Sequence, residues 1–182
     1  MKTILSSIRS QLLGFTLIFA NLIHAAPVMV DQNPAICPQS GTIELPDGRI
    51  INAQLALTRQ DKLSGLSGVQ NEEFGPQDAI LFLFPRVEPR SVWAPDTYFD
   101  LDIIFLDNNL AVVDIERNLP AHPGRKTTPP IPKSKTVRTR HIMEMRADSD
   151  YAKHISKGMK LKWVSTPSLN SILACAFGGV QY

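Results

Sequence analysis

Two apolar runs separated by a short polar break form the strongest pattern in the chain. The runs are Leu101 to Leu106 and Leu110 to Ile115, and Asp107-Asn108-Asn109 lies between them. Because Asp and Asn tolerate a positive φ and hydrogen-bond their own backbone, this break suits a tight turn. The pattern predicts a β-hairpin. Since nearly every residue of the first run is apolar, we expect a central strand covered on both faces.

Shorter patterns predict further strands and two short helices. After the Pro46-Asp47-Gly48 turn, apolar and polar residues alternate from Ile50 to Leu57, which indicates the second arm of another hairpin. The apolar run Ala79 to Phe84 predicts a core strand. Thr58 fits the N-cap of a short helix, and Ser149 to Lys157 has apolar residues at helical spacing.

The segment VWAPDTYFDLDIIFLD carries a family pattern. It resembles the signature of the DUF192 family, in which a Trp-Met-Lys-Asn-Thr-like element precedes Leu-Asp-Ile-Ile-Phe. The matching positions are Trp93, Thr97 and Leu101 to Phe105, whereas Ala94-Pro95-Asp96 stands where the family usually has Met, Lys and Asn. The resemblance extends in order from Thr42 to Trp163. The family has no agreed activity, so the resemblance implies a fold and a compartment more than a function.

From this resemblance and the order of the runs, we expect an α+β fold. Its sheet would be mainly antiparallel, either curved or closed into a half-open β-barrel, with roughly six to eight strands and two short helices. Beyond the matched region, Ser168 to Phe177 fits either a helix or a strand. The chain lacks any apparent internal repeat.

The amino terminus has the order of a secretory signal peptide. Two basic residues precede an uncharged apolar run from Leu12 to Ile23, and small residues follow at Ala25-Ala26. The run is shorter than the ~20 apolar residues that span a bilayer, although an uncleaved anchor is the alternative. We therefore expect residues 1–25 to be removed. Residues 26–182 would form a single periplasmic or secreted domain without a transmembrane segment.

The chain has two cysteines, Cys37 and Cys175. In an oxidising compartment such a pair is expected to form a disulfide bond. The alternative is two unpaired thiols, with Cys175 buried among apolar neighbours. Redox or metal chemistry would need a Cys-x-x-Cys pattern or a nearby histidine, and the sequence contains neither.

A basic, proline-rich loop is expected at residues 117–140, which contain no acidic residue. Prolines exclude a packed helix, so the segment is expected to be an extended, mobile excursion. It is either a solvated insertion or a contact for an anionic envelope component, such as a phospholipid head group or an acidic glycan. Arg86 and Arg90 similarly fit either surface ion pairs or a bound anion. Nucleic acid is disfavoured as a partner, because the loop lacks aromatic residues and the net charge is only +2.

A polar and aromatic cluster at the entry to the core strand is the candidate ligand-binding site. Its members are Trp93, Asp96, Thr97, Asp102 and Glu144. Alternation puts Asp102 on the same face as apolar residues, so its carboxylate needs donors, for which backbone N–H groups or the Thr97 hydroxyl are expected. Glu144 likewise lies in an apolar strand and needs either water or a partner.

The sequence identifies neither a catalytic residue nor a metal or cofactor site. It contains no nucleophile–base pair at a recognisable spacing, glycine-rich phosphate loop, HExxH or GxSxG. The leading hypothesis is an exported, envelope-associated, non-catalytic binding module with its site near Trp93 to Asp102. The alternatives are a structural part of an envelope assembly and a carboxylate-dependent hydrolase of envelope glycans using Asp102 and Glu144. Convergence of these two carboxyl groups in one pocket would favour the hydrolase, and their separation would favour binding.

Overall fold

The computed structural model describes residues 37–124 and 128–178, and the expected signal peptide at residues 1–25 lies outside them. The described strands are β1 Ser40–Glu44, β2 Ile50–Ala56, β3 Asp78–Phe82, β4 Glu88–Arg90, β5 Leu101–Leu106, β6 Val112–Leu119, β7 Val137–Thr139, β8 His141–Arg146 and β9 Lys162–Trp163. The described α-helices are α1 Arg59–Ser64, α2 Asp150–His154 and α3 Leu169–Phe177, and Asn71–Glu73 forms a 3-10 turn.

Seven strands form one curled sheet in the order β6-β5-β8-β3-β2-β1-β9, and β4 pairs with β7 separately. The sheet forms a half-barrel, which confirms the expected α+β class. It is mixed, because β2 and β3 pair in parallel while the other pairs are antiparallel. A parallel neighbour requires a crossover connection, and here that connection contains α1. The segment Leu169–Phe177 is a third helix.

The central hairpin predicted from the apolar runs is confirmed. Strand β5 pairs on one side with β6 and on the other with β8, and all of its residues are buried. The Asp107 carboxylate accepts hydrogen bonds from the backbone N–H groups of Asn109 and Ala111, at 2.7 and 2.8 Å. Leu110 takes a φ of 60° within this turn.

Alternation along β5 divides the core between two faces of the sheet. Ile104 and Leu106 belong to an apolar cluster that also includes Ala152 of α2 and Ile172 of α3. Ile103 and Phe105 belong to a second cluster, which includes buried residues of the 66–74 and 94–99 loops. Helices therefore cover the first face, whereas loops and the end of α1 cover the second face.

The basic, proline-rich segment is shorter and better attached than expected. Strand β6 continues to Leu119 and β7 begins at Val137, so both ends of residues 117–140 belong to strands. Its described middle part is tied to the 92–97 segment by backbone bonds, including His122 N–H to the Thr97 carbonyl and Ser134 N–H to the Val92 carbonyl, each 2.9 Å long. The expectation of an extended excursion over the whole range was therefore wrong.

Cys37 and Cys175 form the expected disulfide bond, with their Cα atoms 5.9 Å apart. It joins the segment before β1 to α3. The three helices of the described ranges include none with the length and apolar character needed to cross a membrane.

Candidate functional site

The second face of the sheet carries a cleft of about 420 Å³. One wall is the end of α1 with the turn after it, and the other wall is the 91–97 segment. The apolar lining residues are Leu63, Leu66, Phe82, Val92, Trp93, Ala94, Pro95, Leu101 and Ile142. The lining also contains Lys62, Glu144 and several hydroxyl groups. A mostly apolar cleft with a few polar groups is the usual form of a small-molecule site.

Glu144 lies at the floor of this cleft. It projects from the middle of β8, between Ile80 of β3 and Ile103 of β5, and is only 4% exposed. Within the described ranges no side chain or backbone group hydrogen-bonds or ion-pairs with its carboxyl. Burial raises the pKa of Glu144 to about 8. At neutral pH the group is therefore a carboxylic acid that can donate one hydrogen bond and accept others.

The turn after α1 lets the cleft wall approach Glu144 closely. Thr58 caps the helix through a reciprocal capping box with Asp61, as the sequence predicted for its start. Gly65 ends the helix with a φ of 47°. A Cβ built on Gly65 would lie 3.3 Å from the Phe82 ring and 3.8 Å from Glu144 Oε2. Glycine therefore provides both the conformation and the space at this position.

Two large apolar side chains stand exposed at the rim of the cleft. Trp93 is 65% exposed and Leu63 is 66% exposed. Trp93 forms a β-bridge with Lys133 of the basic segment, and Lys133 Nζ lies 5.9 Å from the indole centroid. The rim thus combines apolar surface with a positive charge.

Thr97 and Asp96 hold the 91–97 wall in place. The buried Thr97 hydroxyl donates to the Ala94 carbonyl at 3.2 Å and accepts from His122 N–H at 3.1 Å. Asp96 has a φ of 57°, and its carboxylate accepts from Gly124 N–H at 2.9 Å. Thr97 lines the cleft, whereas Asp96 lies outside the lining.

Asp102 lies away from the cleft, on the face of the sheet that carries α2. Its carboxylate accepts from Asn118 N–H at 3.0 Å and from the guanidinium of Arg117. Arg117 also donates to the Ala152 carbonyl at 2.9 Å and to the Ile155 carbonyl. Asp102 and Arg117 therefore connect the sheet to the C-terminal end of α2, where a cation is favoured. The backbone donor expected for Asp102 is present, but the expected Thr97 donor is not.

Of the five residues expected at the site, Trp93, Thr97 and Glu144 line one cleft, whereas Asp96 and Asp102 do not. Two residues of these sites were not predicted from the sequence. Lys62 lies in the short helix predicted after Thr58 and was not a candidate, and Arg117 was assigned to the basic loop. A signal for Arg117 was available, since the buried carboxylate of Asp102 required a cation or several donors.

Lys62 is the second titratable group of the cleft lining. Its amine donates to the Leu57 carbonyl at 2.5 Å and lies over two rings, 4.9 Å from the Phe84 centroid and 5.1 Å from that of Phe177. Burial lowers the pKa of Lys62. The described residues contain no cluster of three or more His, Cys, Asp or Glu side chains that could hold a metal ion.

Comparison with known proteins gives a family and a fold. The family model DUF192, described as an uncharacterized ACR, matches residues 42–163. A crystal structure of a "putative transcription regulator" from Sinorhizobium meliloti 1021 is 22% identical, with a TM-score of 0.54 over 70% of this chain and 96% of that chain. A protein of unknown function from Novosphingobium aromaticivorans DSM 12444 is 24% identical, with a TM-score of 0.52 over 68% of this chain and 84% of that chain. No curated protein matches the chain. At these identities the two structures show a shared fold alone.

Proposed function

Since this chain belongs to the DUF192 family, we propose that it is an exported, envelope-associated member that binds a small ligand in the cleft above Glu144 without catalysis. One observation carries the proposal. Glu144 is 4% exposed, faces the cleft and has no protein partner in the described ranges. A buried polar group without a partner costs free energy, and a ligand that hydrogen-bonds to it offsets that cost.

The protonation state of Glu144 limits what the ligand presents to it. Because its pKa is about 8, the carboxyl is mostly neutral at pH 7 and its O–H group is a donor. A carbonyl or hydroxyl oxygen of a ligand can accept this hydrogen bond without bringing a charge next to Glu144. The apolar walls then pack against the remainder of the ligand.

The lining supports binding over hydrolysis. Among the described residues that line the cleft, Glu144 carries the only carboxyl group. Glycoside hydrolysis generally uses two carboxyl groups that flank the scissile bond. The second group considered from the sequence, Asp102, lies on the other face of the sheet and is engaged with Arg117. The two carboxyl groups are separated, which is the arrangement expected for a binding site.

Export is supported by two features of the chain. The amino-terminal sequence has the order of charge, apolar run and small residues that signal peptides share. The Cys37–Cys175 disulfide bond is of the kind that persists in oxidising compartments. An anionic envelope component bound by the basic segment would lie near the cleft, because Lys133 stands beside Trp93 at the rim.

Fluorescence of prodan, an uncharged naphthalene ketone, tests whether this cleft is a ligand site. Its carbonyl can accept from Glu144, and its emission shifts to the blue in an apolar environment. We expect saturable binding to the wild-type domain. Ser64 is exposed and lines the cleft. Ser64→Trp should therefore abolish binding, because the large indole side chain would occupy the space of the ligand.

Gln60→Trp is the matched control for this experiment. Gln60 is exposed on the same helix but lies outside the cleft lining. The control variant should bind prodan as the wild type does. Equal binding by the wild type and Ser64→Trp, or no saturable binding by the wild type, would contradict the proposal.

A further inference from the structure

Two cationic side chains, Lys62 of the cleft lining and the neighbouring Arg90, lie against the ring of Phe84. The guanidinium carbon of Arg90 lies 3.6 Å from the Phe84 ring centroid, and Lys62 Nζ lies 4.9 Å from it. Burial is the main influence on both groups and lowers the pKa of Lys62 and of Arg90. The negative charge of Asp61 raises the pKa of Lys62, and the positive charge of Arg90 lowers it. The two cations are therefore held together in partly desolvated positions, where each favours an anionic partner.

Carboxylates of the protein neutralise the positive charges of Lys62 and Arg90 only in part. Arg90 forms an ion pair with Glu88 at 3.2 Å, but its buried Nε has no acceptor within the described ranges. No described carboxylate lies within 4.0 Å of Lys62 Nζ, whose acceptor is the carbonyl of Leu57. An ammonium has three donors, and the Leu57 carbonyl is the one hydrogen-bond acceptor that the described residues give Lys62.

The same positive charges also affect the buried side chain of His141. It is fully buried, and its Nδ1 accepts from Phe84 N–H at 3.3 Å. Burial, followed by the charges of Arg140, Arg90 and Lys62, lowers the pKa of His141 to about 3. The histidine therefore stays neutral at pH 7.

Apolar side chains line the cleft between its two titratable groups, Lys62 and Glu144. Phe82 and Val92 are among them. Since Glu144 is neutral at pH 7, the lining contains no negative charge that would repel an anion. The rim adds apolar surface from Leu63 and Trp93.

We infer that the ligand of this cleft is an anionic amphiphile, a carboxylate or phosphate monoester attached to an apolar body, whose charged head lies against Lys62. The body extends along Phe82 and Val92 towards Glu144. This inference rests on the proposed function, because it names the class of ligand for the same cleft. Arg90, which contacts the same Phe84 ring as Lys62, adds positive potential.

Four ligands with the same decyl chain test the inference. Decanoate, decyl phosphate, decanol and decyltrimethylammonium are each used to displace prodan from the wild-type domain, below their micelle concentrations. At least one anion should displace prodan at about tenfold lower concentration than decanol, on the scale of one charge-assisted hydrogen bond. Comparison of the two anions distinguishes a carboxylate head from a phosphate head. Equal or stronger displacement by decyltrimethylammonium would overturn the inference.

Variants of Lys62 assign the preference to this side chain. Lys62→Met keeps the apolar stem and should remove the advantage of the anions over decanol, whereas Lys62→Arg should retain it. The control Lys153→Met removes an exposed lysine outside this cleft and should leave the preference unchanged. An anion preference that survives in Lys62→Met contradicts the inference. If prodan binds but decanol displaces it best, the cleft remains a ligand site and only the anionic class is wrong.

Discussion

Asp102 and Glu144 lie on neighbouring strands but project from opposite faces of the sheet. In the antiparallel register of β5 and β8, Asp102 is opposite Met145 and Ile103 is opposite Glu144. Residues that are directly opposite each other share a face. Asp102 therefore meets α2 through Arg117, whereas Glu144 meets the cleft. The two carboxyl groups have separate roles, and mutations separate them experimentally.

Glu144→Gln should stabilise the protein at neutral and alkaline pH. The pKa of Glu144 is raised from 4.5 to about 8 in the folded state. As the pH rises between these values, the unfolded chain releases the proton while the folded protein retains it, so stability falls. Glutamine cannot ionise and avoids this loss. We expect a gain of roughly 4 kcal/mol in the free energy of unfolding at about pH 8, and no gain at about pH 4.

Urea unfolding of both proteins at three pH values measures this difference. Glu72→Gln is the control, because Glu72 is exposed and its removal should change stability little at any pH. A difference between Glu144→Gln and the wild type that does not change with pH would contradict the assigned ionisation.

Asp102→Asn should destabilise the fold and leave the cleft intact. The change weakens the pair with Arg117, whose side chain is 35% exposed while that of Asp102 is 2% exposed. Because Arg117 retains the two carbonyl partners and some solvent, we expect a loss of about 1–3 kcal/mol. Urea unfolding measures the loss, and prodan titration should show unchanged affinity.

Arg117→Met and the double variant complete a mutant cycle for this pair. If the two residues interact as described, the double variant loses less stability than the sum of the single variants. Loss of ligand binding in Asp102→Asn without a change in stability would instead place Asp102 in the binding site.

Gly41→Ala should destabilise the edge of the sheet. A Cβ on Gly41 would overlap the indole ring of Trp163, which lies on the neighbouring strand β9. Displacement of the ring should cost about 1–3 kcal/mol, as overpacking does in other cores. In a Trp163→Leu background the same substitution should cost much less. Ser40→Ala, at an exposed neighbouring position, is the control.

Removal of the disulfide bond should destabilise the domain strongly. Cys37 and Cys175 are 138 residues apart in the sequence, so the bond restricts most of the unfolded chain. We expect Cys37→Ser with Cys175→Ser to cost about 2–5 kcal/mol. Thiol titration of the unfolded, unreduced wild type should detect no free thiol, and two reactive thiols would refute the pairing.

Processing of the amino terminus is tested on material from the cell envelope. We expect the mature protein to begin at Ala26, since small residues follow the apolar run at that point. Amino-terminal sequencing of the periplasmic or secreted fraction identifies the first residue. Exported protein that begins at Met1 would contradict cleavage.

Local patterns in the sequence determined much of the fold. The apolar run Leu101 to Leu106 and its Asp-Asn-Asn break specified a buried strand and a hairpin, because strand burial and turn chemistry depend on adjacent residues. Thr58 specified the start of α1 for the same reason. The two cysteines specified the disulfide bond because they had no other partner within the chain.

The tertiary structure alone decided how these elements combine. The parallel pairing of β2 with β3 follows from a crossover through α1, which no local pattern encodes. Arg117 was assigned to a loop because its neighbours are prolines and basic residues, yet β6 carries it to Asp102. The partner of a buried carboxylate can come from anywhere in the chain, so its identity depends on the fold.

The candidate site was likewise determined partly by local sequence patterns and partly by the tertiary structure. The sequence pattern predicted Trp93, Thr97 and Glu144 as site residues. It also predicted that Glu144 needs water or a partner, because the apolar residues of its strand offer no hydrogen-bond partner. It could not place Lys62 in the same cleft, nor separate Asp102 from Glu144. Alternation assigns each carboxylate a face of its own strand, but only the register between β5 and β8 fixes whether the two faces are the same.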